Sequence, residues 1–190
     1  MNPKWGILTL IAAIAFCGES VPMMHAGGAG GVTDKATFAA GCFWGVEAAF
    51  RQVKGVIGTT VGYMGGTLKN PTYEDVVAGR AGYREVCEVR YDPTQISYEK
   101  LVEVFFKIRN PSFYSPQARG AVRRYNSVIF FHNPEQERIA LAVKGQLEAT
   151  GKFGGPITTA IASASEFWRA EEYHQRYAEK HGLPVCRIEP

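Results

Sequence analysis

Short apolar runs with a period of two alternate along this chain with longer segments in which apolar residues recur every three or four positions. KATFAAG (35–41) predicts a buried strand; Val46, Ala49, Phe50 and Val53 then fall at i, i+3, i+4 and i+7, one face of a helix. The change of period falls at Cys42. Further along, GVIGTTVGYMGG (55–66) is β-branched and glycine-punctuated, NPTYEDVVAG (70–79) opens with a turn or helix start, and YREVCEVRYDP (83–93) alternates like a half-buried strand. That alternation puts Val86, Glu88 and Arg90 on one face and Glu85, Cys87, Val89 and Tyr91 on the other. SYEKLVEVFFKIRNP predicts a helix capped by Ser97 and ended by Pro111, and YNSVIFFHN predicts a strand. PEQERIALAVKGQLEATG is a helix with Pro134 in its first turn and Gly151 past its end, and PITTAIASAS is a strand. FWRAEEYHQRYAEKHG reads as a last helix, stopped by Gly182 and Pro184. Strands alternating with helices specify an α/β domain of two layers.

The first 30 residues break this pattern. Lys4 precedes WGILTLIAAIAF, an apolar run too short to span a membrane and without a polar face, and small residues follow. Residues 1–26 are therefore expected to be a secretory signal peptide, cleaved near Ala26, with export to a bacterial periplasm. Cys17 also suggests a lipid-anchored N-terminus, against which the bulky Phe16 before it argues. A domain over 35–190 remains, and its end, 182–190, is unpatterned and expected to be mobile. With 46% hydrophobic and 12% aromatic residues the chain has ample material for one core, and a monomer is the default expectation. The net charge of +3 is the small difference of 21 basic and 18 acidic residues scattered along the chain, which gives no nucleic-acid footprint.

Beyond the signal region lie Cys42, Cys87 and Cys186, an odd number with no CxxC spacing and no histidine cluster beside them. That is neither a disulfide framework nor a zinc site, and it leaves a thiol for chemistry. A thiol where a strand gives way to a helix meets unpaired backbone N–H groups and the positive end of the helix dipole, both of which favour thiolate. Cys42 is thus a candidate nucleophile, although position alone describes a small core cysteine equally well. Phe43 and Trp44 follow it directly and could wall an apolar pocket around the sulfur.

GCFWGVE closely resembles the signature of the A-type peptide methionine sulfoxide reductases. The resemblance continues through GVIGTTVGYMGG, NPTYEDVVAG, EVRYDP, ISYEKLVEVFF, YNSVIFFHN and AEEYHQRYAEKH, covering roughly residues 35–181. It implies a two-layer α/β roll around a ferredoxin-like split βαβ core. The activity it implies is reduction of methionine sulfoxide of S configuration at sulfur, in proteins or free, without a bound cofactor. A thioredoxin-like or small-thiol reductant supplies the electrons. The Cys42 thiolate attacks the sulfoxide sulfur, an acid protonates the departing oxygen, and a sulfenic acid remains. Glu47 is the nearest acid in sequence, but five helical residues turn it about 140° away and about 7.5 Å along the axis. The family's catalytic acid, in a Gly-His-Ala-Glu segment, aligns with GYRE and maps to Glu85, with Tyr83 where the histidine usually stands. Burial of such a carboxyl would disfavour its charged form, as a general acid requires. The two tyrosines that hydrogen-bond the sulfoxide oxygen map to Tyr73 and Tyr125, phenols being donors near neutral pH.

Before SVIFFHN this chain has RGAVRRYNS, so the family's substrate-site aspartate aligns with Gly120 and its Thr-Gln pair with Arg123 and Arg124. The resemblance also implies that a tail cysteine, here Cys186, resolves the sulfenic acid, while Cys87 inside a strand is inert. Two readings from other classes remain open at this stage. One is a relative that binds oxidised peptides without turning them over; the other is a peroxide-responsive thiol switch using Cys42 and Cys186.

Overall fold

The run KATFAA pairs on both its edges, as an inner strand of a sheet does. In the computed structural model, which describes residues 32–108 and 125–184, it is strand β1, Asp34–Ala39. Then follow α1 (Phe43–Phe50), β2 (Val56–Met64), α2 (Tyr73–Val77), β3 (Arg84–Tyr91), α3 (Tyr98–Ile108), β4 (Val128–Phe131), α4 (Pro134–Ala149), β5 (Ala160–Ser163), β6 (Trp168–Arg169) and α5 (Tyr177–Lys180). The six strands form one sheet in the order β5-β4-β1-β3-β2-β6, antiparallel except for the parallel β4–β5 pair. Its inner four, β4-β1-β3-β2, with α1 and α3 as crossovers, make the split βαβ arrangement of the expected α/β roll.

The caps follow the sequence. Thr72 and Asp75 form a reciprocal capping box on α2, the Ser97 hydroxyl accepts from the Lys100 N–H, and Asn133 caps α4 through the Gln136 N–H. Phe38 of β1 ties the layers together, its ring stacking on Phe50 of α1 at 4.9 Å and on Phe105 of α3 at 5.4 Å. The β3 alternation holds: Cys87, Val89 and Tyr91 join this main core, whereas Val86 joins a smaller cluster with Ala39, Met64, Val128 and Phe130.

The last predicted helix does not form as one element. The span 167–181 holds the two-residue strand β6, a 3-10 turn at Glu172–His174, a left-handed residue at Arg176 (φ 54°) and the single turn of α5. Bonds to β2 take the place of a helical ladder. Ala170 N–H donates to the Val61 carbonyl at 3.0 Å, and the Gln175 side-chain amide both donates to that carbonyl and accepts from the Val61 N–H, each at 3.0 Å. The segment therefore runs as an irregular strap beside the sheet edge. The expected signal peptide (1–26, with Cys17), Gly120, Arg123, Arg124 and the tail from 185 lie outside the described residues.

Candidate active site

Gly41 closes β1 with φ 97°, a left-handed conformation that suits a residue without Cβ, and this turn presents Cys42 as the N-cap of α1. Cys42 is exposed. Its carbonyl accepts the first helical bond, from the Val46 N–H at 3.4 Å, while the first turn of α1 contains no acidic residue. A carboxyl arrives instead from β3: Glu85, 2% exposed, accepts the Phe43 N–H on Oε2 at 3.2 Å. A buried carboxyl thus sits at the helix start that carries the sulfur.

Behind Cys42 the rings pack in series. Phe43 is buried against Tyr63 and His174, at centroid distances of 6.0 and 5.0 Å. Trp44 is half-buried, stacks on Tyr177 at 3.7 Å, and donates its indole N–H to His174 Nδ1 at 3.0 Å. With Nδ1 accepting, the neutral imidazole carries its proton on Nε2, which has no hydrogen-bond partner among the described residues and lies 3.9 Å from Glu171 Oε2. Burial lowers the pKa of His174, partly offset by Glu171 and Glu74. Glu171 accepts from the Tyr63 hydroxyl at 2.8 Å and from the Tyr73 N–H at 3.0 Å. Its partial burial alone would raise the carboxyl pKa, but these bonds and the nearby His174 outweigh burial and lower it. The Tyr63 phenol is pushed far up by burial and by Glu171, so it stays a donor.

An exposed cysteine at a helix start, a buried carboxyl at the same turn and an aromatic wall make up the candidate site. The family model for peptide methionine sulfoxide reductase matches residues 34–190. The chain belongs to this family. The peptide methionine sulfoxide reductase MsrA of Methanoculleus marisnigri is 52% identical over 154 residues, spanning 81% of this chain and 94% of that protein. Among solved structures, reduced Mxr1 of Saccharomyces cerevisiae superposes with a TM-score of 0.72 at 29% identity, over 81% of this chain and 88% of that one. Mxr1 in complex with Trx2 superposes with a TM-score of 0.55 at 25% identity, over 83% and 91%.

Within this reductase fold, Cys42, Phe43, Trp44 and Glu85 gather at the start of α1, and Tyr73 joins them through His174, its ring 4.6 Å from the imidazole. Tyr125 is half-buried three residues before β4, and β4 begins opposite Ala39 at the end of β1 that leads to Cys42. Cys186 lies outside the described residues. Cys87 is fully buried, and burial first, then Glu47 and Glu88, raises its thiol pKa well above the ordinary value. Glu47 points away from the sulfur, to Thr59 and Arg176. Sequence reasoning missed Tyr63, Glu171, His174 and Tyr177, the rear of the site. The available signal was the cluster EEYHQRY, with Glu171 and His174 three apart, which helical spacing hid.

Proposed function

We propose that this reductase acts through Cys42 on methionine sulfoxide of S configuration. The Cys42 thiolate attacks the sulfoxide sulfur, Glu85 delivers a proton to the oxygen, and Tyr73 and Tyr125 donate hydrogen bonds to it. The sulfur–oxygen bond breaks, methionine leaves, and the oxygen remains on Cys42 as a sulfenic acid. The observation that carries this reading is the 3.2 Å contact of Glu85 with the Phe43 N–H, which holds an acid at the turn bearing an exposed thiol. Trp44, backed by Phe43, is the apolar wall for the substrate methyl group.

Cys186 then displaces water from the sulfenic acid to form a Cys42–Cys186 disulfide, which a thioredoxin-like dithiol or small thiols reduce. Leu183, three residues before Cys186 in sequence, lines a cavity of about 380 Å³ together with Trp44, two residues after Cys42. Residues 1–26 direct export to the periplasm, and the mature protein works there as a monomer on oxidised proteins and peptides, beside an exported thiol reductant. The test is incubation of purified protein with each sulfoxide epimer and dithiothreitol. Methionine should appear from the S epimer and be absent with Cys42→Ser; product from Cys42→Ser at the wild-type rate would remove Cys42 from the scheme.

A further inference from the structure

Glu47 is a buried side chain that the scheme above leaves without a task. It lies on α1 between Trp44 and the helix end, 1% exposed, and both oxygens are engaged. Oε1 accepts from the Thr59 hydroxyl at 3.0 Å, and Oε2 accepts from the backbone N–H of Arg176 at 2.7 Å. The second bond holds an uncommon conformation, because Arg176 sits at φ 54°, where a residue with a side chain stays only if its surroundings fix it. The neighbours of Arg176 grip Trp44 from two directions. His174, two residues before, accepts the indole N–H, and Tyr177, one residue after, stacks on the ring with an interplanar angle of 8°. Gln175 between them is pinned to both polar groups of Val61. Trp44 and Glu47 are themselves i, i+3 neighbours on one helix face, so α1 holds the strap at two adjacent points.

We infer that Glu47 is a positioning residue: by holding the Arg176 amide against α1 it fixes His174 and Tyr177, and through them the indole of Trp44, relative to Cys42. This rests on the reductase reading for its substrate but not for its geometry. Truncating Glu47 takes away the acceptor of the Arg176 N–H and of the Thr59 O–H and so the backbone bond at the left-handed turn. The strap between His174 and Tyr177 loosens, and the indole loses its fixed direction. The Glu47 side chain bonds to neither Phe43 nor Glu85, whose contact at the start of α1 is separate from the strap, although the Phe43 and Tyr73 rings pack on His174. The loss should therefore fall on substrate binding.

The experiment is single-turnover sulfoxide reduction by wild type, Glu47→Ala, Glu47→Gln and Glu47→Asp, normalised to the titratable Cys42 thiol. Glu47→Ala should raise the half-saturating sulfoxide concentration about tenfold, the scale of one well-made hydrogen bond, with the maximal rate within about threefold of wild type. Glu47→Gln should restore near-normal binding, since its carbonyl accepts the Arg176 N–H and its amide donates to Thr59. Glu47→Asp, too short to reach both donors, is the milder variant should Glu47→Ala not fold, and should fall between the two. Native-state hydrogen exchange adds a readout independent of activity: protection of the Arg176 amide should drop in Glu47→Ala and Glu47→Asp and persist in Glu47→Gln. Unchanged half-saturation in Glu47→Ala, a loss confined to the amount of folded enzyme, or unchanged Arg176 protection each overturns the inference. Absence of reduction by wild type strikes the reductase reading instead, and the exchange measurement still decides the clamp.

Discussion

Glu85 reaches the Phe43 N–H from a strand 42 residues away, at the turn that carries the exposed Cys42. The proposed reaction needs Cys42 as nucleophile and Glu85 as proton donor. Glu85→Gln keeps the shape and removes the donor, so its single-turnover rate should fall by about 10² to 10⁴, while iodoacetamide still labels Cys42. Equal rates for Glu85→Gln and wild type, with the loss appearing in Glu47→Gln, would transfer the acid role to Glu47. His174 gives a second test at this scale. Its pKa is lowered in the fold by burial, so as pH falls below the unfolded value of about 6.5 the unfolded chain takes up a proton that the native ring resists. Stability should decline over that window, because the unfolded state binds more protons there. His132, also lowered by burial, contributes in the same direction. Thermal unfolding from pH 7.5 to 5.5 should show a falling midpoint, and His174→Gln should flatten the slope; a slope unchanged by that substitution contradicts the burial of a neutral ring.

Among the elements, the strap from β6 to α5 is the one the sequence hid. The junction of β1 and α1 was legible because a period of two turns into a helical period at Gly41–Cys42, and both are local signals. The cap at Ser97 and the helix start at Pro134 were legible from local signals too. The strap was not, since Phe167, Ala170, Tyr173 and Tyr177 recur at helical spacing while the bonds that overrule a helix come from Val61, 114 residues before Gln175. The Tyr63–Glu171 bond likewise spans 108 residues, beyond any local pattern. Gly62 tests the attachment of the strap directly. A Cβ there would stand 2.3 Å from the Trp168 carbonyl and 2.5 Å from the Phe167 ring, so β6 must move away. Gly62→Ala should destabilise the protein by about 1–3 kcal/mol and weaken sulfoxide binding. Retention of both wild-type stability and binding would mean that β6 does not hold the strap in place.

For the whole molecule, one sheet end collects Cys42, Glu85 and the approach to Tyr125, while the strap closes the rear and leads the chain to Leu183 and the tail. This layout separates two tasks. In the proposed scheme, reduction uses the sheet end and resetting uses the tail. Cys186→Ser should release about one methionine per enzyme in a single turnover and then stall with a thioredoxin-like reductant, while dithiothreitol restores cycling. Undiminished thioredoxin-dependent cycling would make the tail cysteine a bystander. Cys87, fully buried with its thiol pKa raised, should stay reduced throughout.

In the proposed reaction the oxygen of the sulfoxide passes to Cys42. This transfer is tested most directly by giving Cys186→Ser one equivalent of methionine-S-sulfoxide and mapping the peptides by mass spectrometry under conditions that preserve sulfenic acid. The peptide carrying Cys42 should gain one oxygen, in proportion to the methionine released. Methionine released without that oxygen, or the oxygen found on Cys87, would contradict it.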